Sequence, residues 1–263
     1  SAASDVYKRQ NLGRTAVEKA LRGRNPQEVE PGEYTVILEE PAVGEIVMLL
    51  GYLGFGALAY QEGRSFVSGR LGQRITGEQI TIVDDVFHPQ SVGSPFDFEG
   101  MPRQRVVLLQ NGVAKGVVYD RATAAKEGRE STGHGLPAPN PEGPFPLNLV
   151  LRGGQASREE MIQSTERGLL ITRFWYTTPV DPMQAIISGM TRDGVFLIEK
   201  GRIKHGVKNL RFSQNMLEAL SRVTMISTQT RLCLGEDHGY LRWGAIVPAL
   251  KIEGFKFIAK TPF

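Results

Sequence analysis

One uncharged stretch, residues 46–60, limits the folds open to this chain more than any other segment, because it is the most apolar run in the sequence. It follows a strand-like segment and precedes a turn rich in glycine and arginine, so we predict one buried helix at the centre of the core. The run is shorter than the roughly 20 apolar residues that span a bilayer. Gly51, Gly54 and Gly56 would each weaken an isolated helix by about 1 kcal/mol relative to alanine. We therefore expect another segment of backbone to pack closely against this face of the helix.

The composition is that of a soluble globular protein. The chain has 263 residues, of which 41% are hydrophobic and 22% charged, enough for one large domain or two modest ones. Its 31 basic and 28 acidic residues are interspersed, without the basic stripe that is typical of nucleic-acid binding. The single cysteine, Cys233, excludes an intrachain disulfide and suits a reducing compartment. No secretory leader or membrane-spanning run is evident, so we expect a cytoplasmic protein without a membrane partner.

The sequence predicts three regions along the chain. Residues 1–10 show no clear link to the rest of the chain and are predicted to be a non-native or disordered leader. Residues 11–32 contain a helix-capping box at Thr15 and Glu18 and then turn dipeptides, which predicts the end of a preceding domain and a linker. Residues 33–263 are predicted to form the main domain.

Strand signals outnumber helix signals in the main domain. The dipeptide Asn111-Gly112 separates two alternating segments and favours the type I′ turn of a β-hairpin. A second hairpin is predicted at residues 197–208, and the tail at 245–258 alternates like a strand pair broken at Gly254. The pattern predicts an α+β fold: a mostly antiparallel, hairpin-linked sheet with helices inserted around the one buried apolar helix.

Several long segments carry a resemblance to a known family. They are GRSFVSGRLGQRITGEQITIVDD (63–85), GSPFDFEGMPRQRVVLLQNGVAKGVVYDR (93–121), STGHG (131–135) and the runs at 148–174 and 188–212. In this order they resemble the C-terminal domain of the TldD/PmbA family, whose members are described as metallopeptidases and peptide-maturation factors, and also as modulators of DNA gyrase. The family typically pairs two subunits. The TldD-like subunit carries HExxxH, in which two histidines would bind zinc and the glutamate would activate a water.

The resemblance also indicates which positions of this chain correspond to the zinc motif. If the SGRxGQR block of the family is placed on residues 68–74 and the count runs back without gaps, Met48 and Leu53 occupy the histidine positions. Leu49 occupies the glutamate position, so none of the three can supply the chemistry. Cys233 lies near the place of the family's cysteine ligand. The resemblance thus implies a non-catalytic, PmbA-like subunit without a zinc of its own. Its partner would be a TldD-like subunit that holds the zinc, and its substrates would be unfolded or modified peptides.

Four further residues are candidates for binding: His134 in STGHG, Asp97 and Glu99 in SPFDFEG, and Arg64 in the glycine-rich turn. Each also has a plain structural explanation, as a loop histidine bonded to backbone groups, as turn acids, or as a solvated arginine. A second hypothesis takes the first three as the non-standard site of a self-sufficient hydrolase. A third, suggested by the older family name, is a gyrase-associated regulatory binding protein.

A last cluster contains metal-ligand types near the end of the chain. Cys233 is followed closely by Glu236, Asp237 and His238. Their spacing matches no recognised metal site, and a glycine-bounded turn explains the segment equally well. We therefore predict no metal site in this chain.

Overall fold

The computed structural model describes residues 2–235 and 243–261, which form one large mixed sheet with a few helices. The helices are α1 (Ala2–Arg22), α2 (Glu40–Gly54), α3 (Ala57–Gln61), α4 (Arg121–Lys126), α5 (Arg158–Gln163) and α6 (Met216–Ser221). The strands are β1 (Gly32–Leu38), β2 (Ile82–Asp84), β3 (Val106–Gln110), β4 (Val113–Ala114), β5 (Asn148–Leu151), β6 (Arg167–Asp181), β7 (Ile186–Glu199), β8 (Arg202–Val207), β9 (Leu210–Asn215), β10 (Val223–Leu234) and β11 (Gly244–Lys260).

Strand β11 is the hub of the sheet. It pairs antiparallel with β1, β9 and β10, and parallel with β5. Through these pairings β1, β6, β7, β9 and β11 close into a ring, while β5, β2, β3 and β4 continue the sheet beyond it. Most pairs are antiparallel, and the parallel ones are β1–β6 and β5–β11. The expected mostly antiparallel sheet with few helices is therefore what the structure has.

Phenylalanines occupy the core where the ring strands meet. Phe174, Phe212, Phe255 and Phe257 are each no more than 1% exposed. The ring centroids of Phe174 and Phe212 lie 4.6 Å apart, and those of Phe212 and Phe255 lie 5.5 Å apart with their planes steeply inclined. Such edge-to-face contacts favour a fixed arrangement of the rings. The cluster thus holds β6, β9 and β11 together at one place.

Helix α2 is the predicted apolar helix, and it packs against β11, β6, β10 and β5. Its glycines are the points of closest approach. A Cβ atom on Gly54 would lie 2.2 Å from Cε1 of Phe66, and one on Gly51 would lie 2.7 Å from Cδ1 of Leu149. The expectation of close packing is confirmed, although at these two glycines the neighbours are side chains. No helix within the described residues is long and apolar enough to cross a membrane.

The apolar helix ends earlier than predicted because the backbone leaves it at Phe55. The carbonyl oxygen of Phe55 accepts a hydrogen bond from the amide of Val118 (2.8 Å), and the amide of Ala57 donates to the carbonyl of Val118 (3.0 Å). This local pairing replaces helical hydrogen bonds, and α3 begins only afterwards. The neighbouring Gly56 approaches the carbonyl oxygen of Pro144, where a Cβ would come within 2.4 Å.

The two predicted hairpins are confirmed. At the turn between β3 and β4, Asn111 has φ 49° and Gly112 has φ 77°. Between β7 and β8, Lys200 has φ 50° and Gly201 has φ 70°. Both pairs have the positive φ values that a type I′ turn requires.

Two expectations differ from the structure. The tail is one continuous strand, β11, and not a strand pair, because Gly254 (φ 62°) forms a bulge where the register with β1 shifts. The segment 1–10 was expected to be a non-native or disordered leader, but helix α1 begins at Ala2 and runs through it to Arg22. The capping box at Thr15 is not used, because the preceding residues already continue the helix.

Replacement of Gly54 by alanine tests the close packing of α2. The added methyl group meets the ring of Phe66, so Gly54→Ala should lower the free energy of unfolding by about 1–3 kcal/mol, the range typical of overpacked cores. The midpoint of urea denaturation at constant slope measures this change. The matched control is Gly13→Ala in α1, where no atom lies within 4 Å of the added Cβ. Equal midpoints for the two variants would contradict the packing described here.

Candidate functional site

A cavity of about 730 Å³ lies along one face of α2, a size within the range of ligand-binding clefts. Glu45, Met48 and Leu49 form its floor, because residues three and four apart share a face of a helix. Its walls come from β6, from the end of β10 and from Trp243, which immediately precedes β11. We call it the α2 cleft; its lining residues are Glu45, Met48, Leu49, Arg173, Phe174, Trp175, Tyr176, Thr177, Thr178, Leu234, Gly235 and Trp243.

A bulge in β6 shapes one wall of the α2 cleft. The register with β7 shifts between Trp175 and Thr178, and Tyr176 at this shift has φ 54°. A tyrosine in the left-handed region costs roughly 1–3 kcal/mol, and such residues cluster at functional sites. The hydroxyl of Thr177 donates a hydrogen bond to the carboxylate of Glu45, which ties the bulge to α2. Tyr176 itself remains 68% exposed at the mouth of the cleft.

Both tryptophans of the chain line the α2 cleft, and contacts orient each ring. The guanidinium carbon of Arg192 lies 4.0 Å from the ring centroid of Trp175, a cation–π contact. The ring of Trp243 packs against Phe145 with a centroid distance of 5.4 Å. It also covers Gly235, where a Cβ would come within 2.2 Å of the indole. The two indoles are therefore rigid walls of the cleft.

The residues at the positions of the zinc motif do not fit a zinc ion. Met48 and Leu49 line the α2 cleft, whereas Leu53 is 6% exposed and belongs to the core. Leucine offers no donor atom, and a thioether is a soft ligand that suits Cu(I) better than zinc. Among the described residues, no three His, Cys, Asp or Glu side chains are grouped so that they could hold a metal. Residues 236–238 lie outside the described residues.

Cys233 is a structural thiol in this arrangement. Its Sγ lies 3.3 Å from the carbonyl oxygen of Glu40, to which the thiol donates. It packs against Gly44 of α2, where a Cβ would lie 2.6 Å from the Cβ of Cys233. Burial raises the pKa of Cys233 to about 11, with Arg231 acting in the opposite direction. The hydrogen bond to Glu40 and the contact with Gly44 therefore account for the position of the thiol beside α2.

Of the candidate binding residues, His134 lies in a buried polar network. Its Nε2 is 3.0 Å from Oδ1 of Asp84, and its Nδ1 is 2.9 Å from Oγ1 of Thr132. The side chains of His134 and Asp84 are both 0% exposed. The other carboxylate oxygen of Asp84 accepts the backbone N–H of Asn148 at 2.8 Å. With no exposed surface, His134 is placed to join its loop to the end of β2 and not to meet a substrate.

Asp97 is also bonded entirely within the protein. One carboxylate oxygen accepts the N–H groups of Glu99 (2.9 Å) and Met101 (2.8 Å), and the other accepts that of Gly135 (2.7 Å). Arg103 is 4% exposed, and burial lowers its pKa while the charges of Asp84 and Asp97 raise it. The guanidinium therefore partly balances two buried carboxylates.

The remaining two candidates lie at the surface. Glu99 is exposed and accepts the backbone N–H of Arg121 at 2.8 Å, which attaches the SPFDFEG loop to the start of α4. Arg64 forms an ion pair with Glu62 in which both side chains are about half exposed, and such pairs contribute little stability. The structure thus brings His134, Asp97 and Glu99 into one group of connected loops, while Arg64 pairs elsewhere.

The walls of the α2 cleft were not among the residues proposed from sequence. The wall residues come from distant parts of the chain: Trp175 and Tyr176 from β6, and Trp243 from the position before β11. Only the three-dimensional fold brings them next to α2. Two features of the sequence could have indicated these wall residues. They are the adjacent aromatic residues of LLITRFWY and the presence of only two tryptophans in the chain.

Comparison with known proteins gives consistent matches. The profile of the PmbA/TldA metallopeptidase C-terminal domain matches residues 31–259. The chain is 29% identical over 231 residues to a metalloprotease of Methanothermobacter thermautotrophicus, covering 86% of this chain and 50% of that protein. It is 30% identical over 200 residues to the metalloprotease TldD homolog of Haemophilus influenzae, covering 72% of this chain and 40% of that protein. The chain therefore spans about half the length, or less, of these curated relatives.

A solved structure shares the fold. TldE from Thermococcus kodakarensis superimposes with a TM-score of 0.82 at 26% sequence identity, covering 94% of this chain and 55% of that one. The overall fold of this chain is thus one that has been observed experimentally.

The reactivity of Cys233 tests its assignment as a structural thiol. Its raised pKa leaves a much smaller thiolate fraction near pH 8, roughly 100-fold lower or more, because each pKa unit is a tenfold change. Iodoacetamide should therefore modify the folded chain at least that much more slowly than the chain in urea. Since Cys233 is the only cysteine, the unfolded chain is its own control. Similar rates in the two states would show an accessible thiolate and contradict the assignment.

Proposed function

The chain belongs to the PmbA/TldD metallopeptidase family, and we propose that it is a zinc-free, PmbA-like subunit that assembles with a TldD-like zinc peptidase. The proposal is carried by Met48, Leu49 and Leu53, which stand at the positions that the resemblance assigns to the zinc motif, within a domain that matches the family. The relatives are named metalloproteases, so the assembly would act on peptide bonds.

The contribution of this chain would be a binding surface. Met48 and Leu49 place a thioether and an isobutyl group on the floor of the α2 cleft, where catalytic relatives would place the first histidine and the glutamate of the motif. These groups cannot bind zinc or transfer a proton at neutral pH. They can exclude water and hold part of an unfolded or modified peptide. The zinc of the partner subunit would supply the activated water for hydrolysis.

The buried network around His134 supports this proposal over a self-sufficient hydrolase. General acid–base catalysis requires the base to come within hydrogen-bond reach of the substrate. The side chains of His134 and Asp84 have no exposed surface, and both carboxylate oxygens of Asp97 accept hydrogen bonds from backbone amides. The single cysteine, which is free, accords with a cytoplasmic site of action.

Reconstitution with the TldD-like protein of the same organism tests the proposal. The two chains should co-purify, and hydrolysis of an unfolded peptide substrate should require both. Replacing the glutamate of the partner's HExxxH by glutamine serves as the control, because it should abolish hydrolysis and leave the complex intact. Hydrolysis by the present chain alone, or failure of the two chains to associate, would overturn the proposal.

A further inference from the structure

The α2 cleft has the shape and chemistry of a subsite for a large apolar side chain. We propose that it binds an extended peptide by seating one aromatic or large aliphatic side chain on Met48 and Leu49, between Trp175 and Trp243. The inference rests on the proposed function in one respect only, namely that the ligand is a peptide.

The α2 cleft contains an apolar patch, formed by Met48, Leu49 and the two indoles, beside the polar side chains of Glu45 and Arg173. Met48 is 8% exposed, and its unbranched, polarizable thioether adapts to the outline of an aromatic ring. Leu49 adds an isobutyl group beside it, and the two indoles stand on either side. At the mouth, Leu234 is 63% exposed, an unusual position for a leucine unless another apolar group covers it. Burial of a large apolar side chain contributes about 1.5–3 kcal/mol.

Charges within the cleft do not favour an ionic ligand. Glu45 and Arg173 line it with opposite signs, and each already has a partner in the protein. Glu45 accepts the hydroxyl of Thr177, and Nε of Arg173 lies 2.7 Å from a carboxylate oxygen of Asp193. A phosphate or a free amine would therefore gain little here. The threonine hydroxyls and these two side chains suit the neutral amide groups of a peptide backbone.

The size of the cleft and the strain at its mouth point to the same ligand. A volume of about 730 Å³ exceeds that of a single side chain and leaves room for the residues that flank it in an extended peptide. Tyr176 stands edge-on to Trp175, with centroids 4.7 Å apart, and keeps its ring exposed at the cost of a left-handed backbone. The bulge therefore holds an aromatic ring at the mouth, where it can cover a bound side chain.

Peptide binding can be measured directly, because the only two tryptophans both report on the cleft. The probes are acetyl-Gly-Gly-Phe-Gly-Gly-amide and the same peptide with leucine, serine or lysine at the centre. The phenylalanine and leucine peptides should change the tryptophan emission and bind at least tenfold more tightly than the serine and lysine peptides. Equal affinity for all four peptides, or no binding by any, would overturn the inference.

Three variants test whether the peptide binds in the α2 cleft. Leu49→Asp should weaken phenylalanine-peptide binding at least tenfold. Phe87→Ser, which removes an exposed apolar side chain outside the cleft, should leave binding unchanged. Tyr176→Gly relieves the left-handed backbone and should fold at least as stably. It should still bind the peptide severalfold less tightly, which keeps the test decisive if Leu49→Asp unfolds. Wild-type affinity in Tyr176→Gly and in folded Leu49→Asp would contradict the inference.

The test of this subsite and the test of the proposed partnership can fail independently. Selective peptide binding by a chain that does not associate with a TldD-like subunit would sustain the subsite and overturn the partnership. Association and joint hydrolysis without preference for an apolar residue would sustain the partnership and overturn the subsite.

Discussion

The packing of α2 against β11 is the interaction on which the rest of the structure depends. β11 pairs with four other strands, and α2 packs against it. The glycines of α2 make the closest contacts with the surroundings of β11, namely β10, β5 and Phe66. A side chain at Gly44, Gly51 or Gly54 would separate the helix from Cys233, Leu149 or Phe66. This close approach fixes which face of α2 is left for the cleft. Met48 and Leu49 are on that face, so the same packing that stabilises the fold positions the candidate site.

The histidine and the aspartates that suggest catalysis have structural roles in this domain. The candidate site, the α2 cleft, contains an apolar patch instead. His134, Asp84 and Asp97 bond almost entirely to protein groups and connect the loops around STGHG and SPFDFEG. Buried polar groups of this kind are costly unless every donor and acceptor is paired, which explains their dense bonding. The α2 cleft instead presents a thioether, an isobutyl group and two indoles beside Glu45 and Arg173. Such a surface offers apolar contact to a ligand.

Local signals in the sequence predicted the local structure well. The Asn-Gly turn at 111–112 and the apolar helix follow from backbone preferences and periodicity, which act over a few residues. The prediction that Gly254 separates two strands was wrong. Strand β1 pairs with β11 on both sides of Gly254, so the glycine forms a bulge within one strand, and the sequence alone does not show this pairing. Strand β10 and the cleft walls depend on pairings between distant segments, for which periodicity carries no signal. The replaced zinc motif could be located only through the family resemblance.

The central claim is that α2 provides structure and an apolar surface where catalytic relatives provide a zinc site. Zinc content is the most direct measurement of it. The purified chain, dialysed against buffer with micromolar zinc and then analysed by mass spectrometry, should hold far less than one zinc ion per chain. A tightly held zinc ion in near one-to-one ratio, lost only on unfolding, would contradict the account.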